Sequence, residues 1–152
     1  MGFRVVPAAY VLLLDGDGRV LLQLRSGTGF RDGFWAAAAA GHVEAGEPVH
    51  DAAVREVAEE LGVTVAVADL EPLTAMHRTA PTGLDVDQRV DFFFACRRWS
   101  GDPALVEPDK AADLGWFALS RLPHPVVPHE LRVLRALSQG QVPAVLTHFV
   151  RY

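Results

Sequence analysis

The chain is predicted to be an α/β domain, and three observations carry that prediction. Runs with strand periodicity stand on both sides of one strongly patterned helix, and a second helical pattern follows near the C-terminus. The run at 88–99, QRVDFFFACRRW, is apolar on both faces in its middle, as a strand inside a sheet covered on both sides must be. The 152 residues, half of them apolar and 22% charged, suffice for one domain over 1–152 that buries roughly two thirds of its unfolded surface.

Taken in order, residues 4–14 are strand-like and end on Asp15-Gly16-Asp17-Gly18, a tight turn signal. A calcium loop would need more oxygen ligands and a closing glutamate, so DGDG reads as a hairpin. VLLQLR at 20–25 returns as the second strand. Residues 26–33 form a glycine-rich loop with Arg25 and Arg31 beside it, either of which can meet phosphate or simply be solvated. FWAAAAA at 34–40 is expected to be a short strand, and because alanine is a poor strand former it depends on tertiary packing.

A turn then feeds a helix. Glu47 can act as a weak N-cap, Pro48 suits the first helical position, and Gly62 stops the helix. Ala53, Val57 and Leu61 recur every four residues as one apolar stripe. Short strands are expected at 63–68 and 70–78, then a loop at 79–86 broken by Pro81 and Gly83. In the central strand Asp91, Phe93 and Ala95 share one face and Phe92, Phe94 and Cys96 the other. Arg89 and Asp91 either project into a cleft or are satisfied by an internal salt bridge or by solvation at the strand end. A loop at 101–113 holds Glu107-Pro108-Asp109-Lys110 and leads to a strand at 114–119. A helix is expected at 130–137, its approach kept irregular by Pro125 and Pro128, and a last strand at 145–150.

Composition excludes several classes. The net charge of −5 argues against a surface that coats nucleic acid, so a polyanionic ligand must meet a local basic patch or a bound metal. The lone Cys96 allows no internal disulfide and sits in an apolar strand pattern, as a buried small hydrophobe would. The apolar run 5–14 lacks a small-residue cleavage site after it, and no run approaches a membrane span. The expected setting is cytoplasmic, with no membrane or nucleic-acid partner. None of the six histidines has a metal-ligand spacing, and most are expected on the surface.

The helix carries the chemistry. At about 100° per residue Glu56 and Glu60 lie about 40° apart, with Glu59 about 60° to the other side of Glu56. Like charges so placed repel, and a hard cation coordinated by oxygen removes the penalty. An acidic solvated face with an Arg55–Glu59 pair would be the plain alternative. The wider spacing decides between them: Gly41, five residues, Glu47, seven residues, then Arg55-Glu56-Val57-x-Glu59-Glu60-x-Gly62-Val63. Every fixed position of the Nudix box is matched, and the chain resembles the Nudix hydrolase family.

That resemblance implies an α/β/α sandwich with a mixed β-sheet, and hydrolysis of a nucleoside diphosphate linked to a second moiety, X. It implies Mg²⁺ or Mn²⁺ held by Glu56 and Glu60, with Glu59 joining directly or through water, and by the backbone carbonyl of Ala40. Glu47 is expected to pair with Arg55 and hold the box loop against the helix. The late "E…W-F-x-L" segment resembles one in which a loop glutamate faces the metal; Glu107 takes that role here, with Asp109 the other candidate. Either Glu59 or Glu107 is the base. Arg25, Arg31, His77 and Arg89 are the candidate substrate contacts. The family usually has W-x-L-P-G-G before the box; here Trp35 is kept and alanines replace the Leu-Pro-Gly part, which bears on the pocket wall. The implied partner is a small nucleotide, bound by a monomer or a homodimer. A MutT-like nucleoside triphosphate pyrophosphatase is the first reading, and cleavage of a sugar or dinucleoside diphosphate the second. A non-catalytic binding module is disfavoured because all four box glutamates are present.

Overall fold

The computed structural model describes residues 2–150. In chain order it contains β1 (Val6–Leu13), β2 (Arg19–Arg25), β3 (Trp35–Ala37), β4 (Ala39–His42), α1 (Val49–Leu61), β5 (Leu70–Thr79), β6 (Arg89–Cys96), β7 (Ala111–Ala118), α2 (Pro128–Ser138) and β8 (Val145–Phe149). Five strands form a mixed sheet in the order β4-β1-β6-β5-β8, and β3-β2-β7 form a second, antiparallel one. In the larger sheet β1 runs parallel to β6 and β5 parallel to β8.

The strand period of two sorts the core into two layers. Ala9, Val11, Leu13, Phe94 and Cys96 pack with Ala53, Val57 and Leu61 of α1. Ala8, Tyr10, Leu12, Phe93 and Ala95 pack with Val133 and Leu134 of α2 on the opposite face. The result is the α/β/α sandwich, with β6 third of five strands as its two-faced sequence requires. Each large aliphatic side chain so buried contributes roughly 1.5–3 kcal/mol.

Several boundaries differ from expectation. The sheet is split in two, and the alanine run is where it splits: Trp35–Ala37 pairs with β2, whereas Ala39–His42 pairs with β1. Ala36 to Ala39 are all nearly inaccessible, so methyl side chains let one segment pass between two sheets where larger ones would not fit. Residues 63–68 form no strand. Thr64 makes a single bridge to Ser100, and Val67–Asp69 is a 3₁₀ turn. Pro48 caps α1 rather than starting it, and Glu47 gives no capping bond because its carboxylate is engaged elsewhere. Pro128 opens α2 at the position where a missing N–H costs nothing, two residues earlier than expected. Among the described residues no helix is long and apolar enough to cross a membrane.

Candidate functional site

α1 is fixed against β4 and β1 by its apolar stripe, and Gly62 ends it in a left-handed conformation, φ 69°, that only glycine adopts cheaply. This leaves Arg55, Glu56, Glu59 and Glu60 on the faces beside the sheet edge. Arg55 is the hub. Its Nε and Nη2 donate to the two oxygens of Glu47 at 2.8 and 2.9 Å, its Nη1 to Glu56 at 2.8 Å and Glu59 at 3.2 Å, and its Nη2 also to the carbonyl of His42 at 3.1 Å. The forked pair ties the box loop to the helix as expected. The hydrogen bonds from Arg55 hold Glu47 down at about 2 and raise Arg55 itself.

Glu56 and Glu60 behave differently. Glu56 lies buried against Gly41, where any side chain would overlap its carboxylate, so the first glycine of the motif is a space requirement. Glu60 accepts the Ala40 N–H at 3.2 Å and shares a hydrogen bond with Glu56. Burial, followed for Glu60 by repulsion from Glu56, pushes both carboxyls above their usual range. Two acids pressed together carry an electrostatic cost that a divalent cation would relieve. Glu59 is exposed and turned to Arg55. Among the described residues no three acidic, histidine or cysteine side chains converge as a finished metal cage. Two paired carboxylates are nonetheless the hard oxygen donors that suit Mg²⁺ or Mn²⁺, which complete their shells with water and substrate phosphate.

The far side of this cluster is brought in by the helix end. The last carbonyls of α1 lack intrahelical partners. Those of Glu60 and Leu61 accept the N–H groups of Val106 and Ala104 at 3.1 Å each. That docking sets the following residue, Glu107, close enough for its charge to bear on Glu60. Glu107 also pairs with Lys110 at 2.8 Å. Asp109 is exposed and does not line the cavity, so between the two loop acids the geometry favours Glu107.

Glu60 and Glu107 stand at one end of a cavity of about 1050 Å³. Arg25, Arg31 and Arg89 line it, as the sequence suggested, but His77 does not. His77 is exposed, and its neighbour Arg78 lines the cavity instead. The reason is strand alternation: Arg78 shares a strand face with buried Thr74 and Met76. Arg25 donates to the Phe30 carbonyl at 2.8 Å and to Thr28 at 3.1 Å, which shapes the 26–33 loop. Arg89 bonds His42 at 2.9 Å and Val86 at 3.2 Å, while its buried Nε has no partner. Asp91 is fully buried and ion-paired with Arg78, the internal alternative, whereas Arg89 lines the cavity.

The start of α2, which the family resemblance places near the base of the nucleotide without fixing a base preference, supplies the deep end. His129 and Glu130, at the start of α2, are both buried and both line the cavity, which corrects the surface expectation for His129. Tyr10 Oη and His129 Nε2 are hydrogen-bonded at 3.1 Å, and Glu130 accepts the Ala37 N–H at 2.7 Å. Trp35 fixes this arrangement, accepting from Val127 N–H at 2.9 Å and donating to the Pro125 carbonyl at 2.8 Å. Burial drives His129 well below its usual range and Tyr10 above its own, and pushes Glu130 up to about 7. A sequence signal existed: Glu130 stands three and four residues before Val133 and Leu134, a carboxylate on an apolar stripe.

Residues 4–137 match the family model of the NUDIX domain. The crystal structure of a MutT NUDIX hydrolase from Burkholderia pseudomallei superposes with a TM-score of 0.76 at 30% identity, covering 87% of this chain and 97% of that one. An NAD-capped RNA hydrolase, NudC, of Pseudomonas aeruginosa is 33% identical over 120 residues, 79% of this chain and 38% of that protein. An isopentenyl-diphosphate Delta-isomerase of Cereibacter sphaeroides is 28% identical over 125 residues, 82% of this chain and 70% of that protein. The matches to the first curated relatives span 35% and 38% of those proteins' lengths.

Proposed function

The chain belongs to the NUDIX family, and from that premise we propose that it is a divalent-cation-dependent pyrophosphohydrolase acting on a nucleoside diphosphate linked to a second group, X. One observation carries the reading: Glu56, buried against Gly41, is paired with Glu60, and Glu60 lines a cavity that arginines also line. Glu56, Glu60 and the carbonyl of Ala40 would hold Mg²⁺ or Mn²⁺, with Glu59 reached directly or through water. The cation would neutralise anhydride oxygens and acidify the attacking water.

The chain's own residues do the rest. Arg55 and Glu47 keep the box loop and helix in register, so the carboxylates meet the ligand preorganised. Glu107, on a different segment, reaches the far side, where a base is useful for in-line attack. Glu59 is the alternative base. Arg25, Arg31 and Arg89 face the phosphates. The deep end at Tyr10, His129 and Glu130 supplies buried donors and acceptors for the heterocycle of the nucleoside.

Two substrate readings have support. The 30% likeness to a MutT NUDIX hydrolase favours a nucleoside triphosphate. The cavity's volume of about 1050 Å³, and the NudC relative that by its name takes NAD-capped RNA, favour a larger X. The deciding experiment incubates purified protein and Mg²⁺ or Mn²⁺ with a nucleotide panel and identifies products. Monophosphate plus pyrophosphate marks the first reading, and two monophosphates the second. Tight binding with no cleavage of any member would replace both with a binding module.

A further inference from the structure

We propose that Glu130 is a positioning residue for the metal end, acting along the backbone from Ala37 to Ala40 rather than across the cavity. The proposal rests on the assignment of the cation to Glu56 and Glu60, and adds to it a group from α2. β3 is an edge strand of the smaller sheet and β4 an edge strand of the larger, so each turns backbone groups away from its own sheet. An acid of the cavity takes one N–H from each. Ala37 N–H donates to Glu130 at 2.7 Å, and Ala40 N–H donates to Glu60 at 3.2 Å.

The first of these bonds continues a pattern. Two residues earlier, Trp35 exchanges hydrogen bonds with the chain before α2, donating to Pro125 and accepting from Val127. Backbone groups repeat their direction every second residue along a strand, so Ala37 N–H points the same way. There the chain has already turned into α2, and the Glu130 carboxylate stands where the next carbonyl would be. Side chains do little to fix the segment. Ala36 to Ala39 are all methyls, at most 3% exposed, with Ala37 in the core under α2 and Ala38 and Ala39 in the core under α1. The Gln23 amide holds the Ala37 carbonyl by a longer bond of 3.3 Å. Backbone bonds at the two ends therefore set where the strand lies.

Both metal carboxylates rest on that strand. Three residues of extended chain span at most about 11 Å, so a shift at Ala37 is felt at Ala40. Ala40 holds Glu60 through its N–H. Gly41 beside it lies so close to Glu56 that an added side-chain carbon would stand 2.2 Å from that carboxyl. A buried N–H without a partner is costly, so removing the Glu130 acceptor moves the segment towards another one, and the seat of Glu56 and Glu60 moves with it. A role for Glu130 confined to the nucleoside would leave this seat alone.

The test measures Mn²⁺ binding to nucleotide-free protein by calorimetry, where contact with a nucleoside plays no part. Glu130→Ala should weaken Mn²⁺ about 10-fold or more, the low end of the range for groups that orient metal ligands. Glu130→Gln removes the same charge but keeps an oxygen for Ala37, and should bind Mn²⁺ like wild type. Glu130→Asp keeps the charge and draws the acceptor back by one methylene. It should show the loss, and it serves if Glu130→Ala does not fold. Val133→Ala, a core truncation in the same helix, controls for general loosening and should leave Mn²⁺ affinity unchanged. Unchanged affinity in Glu130→Ala, or a loss shared by Glu130→Gln or by Val133→Ala, overturns the proposal. Should wild type bind no Mn²⁺, the cation assignment falls, and the Ala40 amide decides the linkage alone. Its hydrogen exchange in metal-free protein should quicken in Glu130→Ala and not in Glu130→Gln; equal exchange in the two overturns the linkage.

Discussion

The two ends of the cavity hold acids in opposite ways. At one end Glu56 and Glu60 come four residues apart from a single helix, and crowding makes them costly unless a cation joins them. At the other, Glu130 is buried and accepts one backbone N–H from a strand more than ninety residues away, while Arg25, Arg78 and Asp91 act on it only through space. The first arrangement anticipates a ligand charge, whereas the second is compatible with a neutral carboxyl. Electrostatic demand thus separates a place for phosphate and metal from a place for an uncharged ring, within one cavity.

The comparison breaks most sharply at the crowded end. Glu56→Gln and Glu60→Gln should each lower kcat by more than about 100-fold at saturating Mg²⁺, since even groups that only orient metal ligands cost 10–100-fold. Gly41→Ala should reach the same loss by displacing Glu56. Folding should survive Glu60→Gln, because a carboxyl raised by burial and by its neighbour loses only a repulsion. Steady-state kinetics with thermal melting reads both, and near-normal turnover in either glutamine variant sinks the metal assignment.

Arg55→Lys comes next. Lysine cannot reproduce the two-pronged contact with Glu47 while also reaching Glu56 and the His42 carbonyl. The expected loss is about 10–100-fold, in kcat more than in KM. A large KM change at constant kcat would instead put Arg55 on the phosphates. Glu107→Gln should cost about 10-fold or more in kcat, the low end of what a positioned base contributes or below it, while the box still binds metal. Asp109→Asn, outside the cavity, is its control; if the control loses activity and Glu107→Gln does not, the loop acid has been misassigned.

How much of this was legible follows from the same contrast. The box helix could be read because its information is local: spacing fixes which face is apolar, which carboxylates crowd and where Gly62 ends the turn. Arg55–Glu47 is a contact across eight residues, and charge complementarity suffices to foresee it. The deep end depends on strand register and on a segment crossing between sheets, neither of which spacing encodes. Tyr10 meets His129 across 119 residues, and Arg78 rather than His77 enters because pairing with β6 sets the phase of β5. The alanine run was visible, but its passage from one sheet to another was not, since alanine has little preference of its own to declare.

The smallest effect is the one that tests the quiet end. Burial raises Glu130 from 4.5 to about 7, partly offset by the Ala37 N–H. The folded state therefore binds this proton more tightly than the unfolded chain does. Its contribution to stability is complete below about pH 4.5, is lost as pH rises towards 7, and is flat above. Glu130→Gln keeps an oxygen for the Ala37 N–H and cannot ionise. The variant should match wild type near pH 4.5 and gain on it as pH rises to 8. The gain should be on the order of 3 kcal/mol at most, each tenfold change in proton affinity being worth about 1.4 kcal/mol. Taking the difference between two proteins cancels the opposing titration of His129, which is shared. Urea unfolding of both proteins at pH 5 and pH 8 reads this directly. Glu130→Ala, which strands the Ala37 N–H, should instead be destabilised at both pH values. If Glu130→Gln is the less stable at pH 8, the carboxylate is ionised and bound by charge, and the cavity's two ends are alike after all.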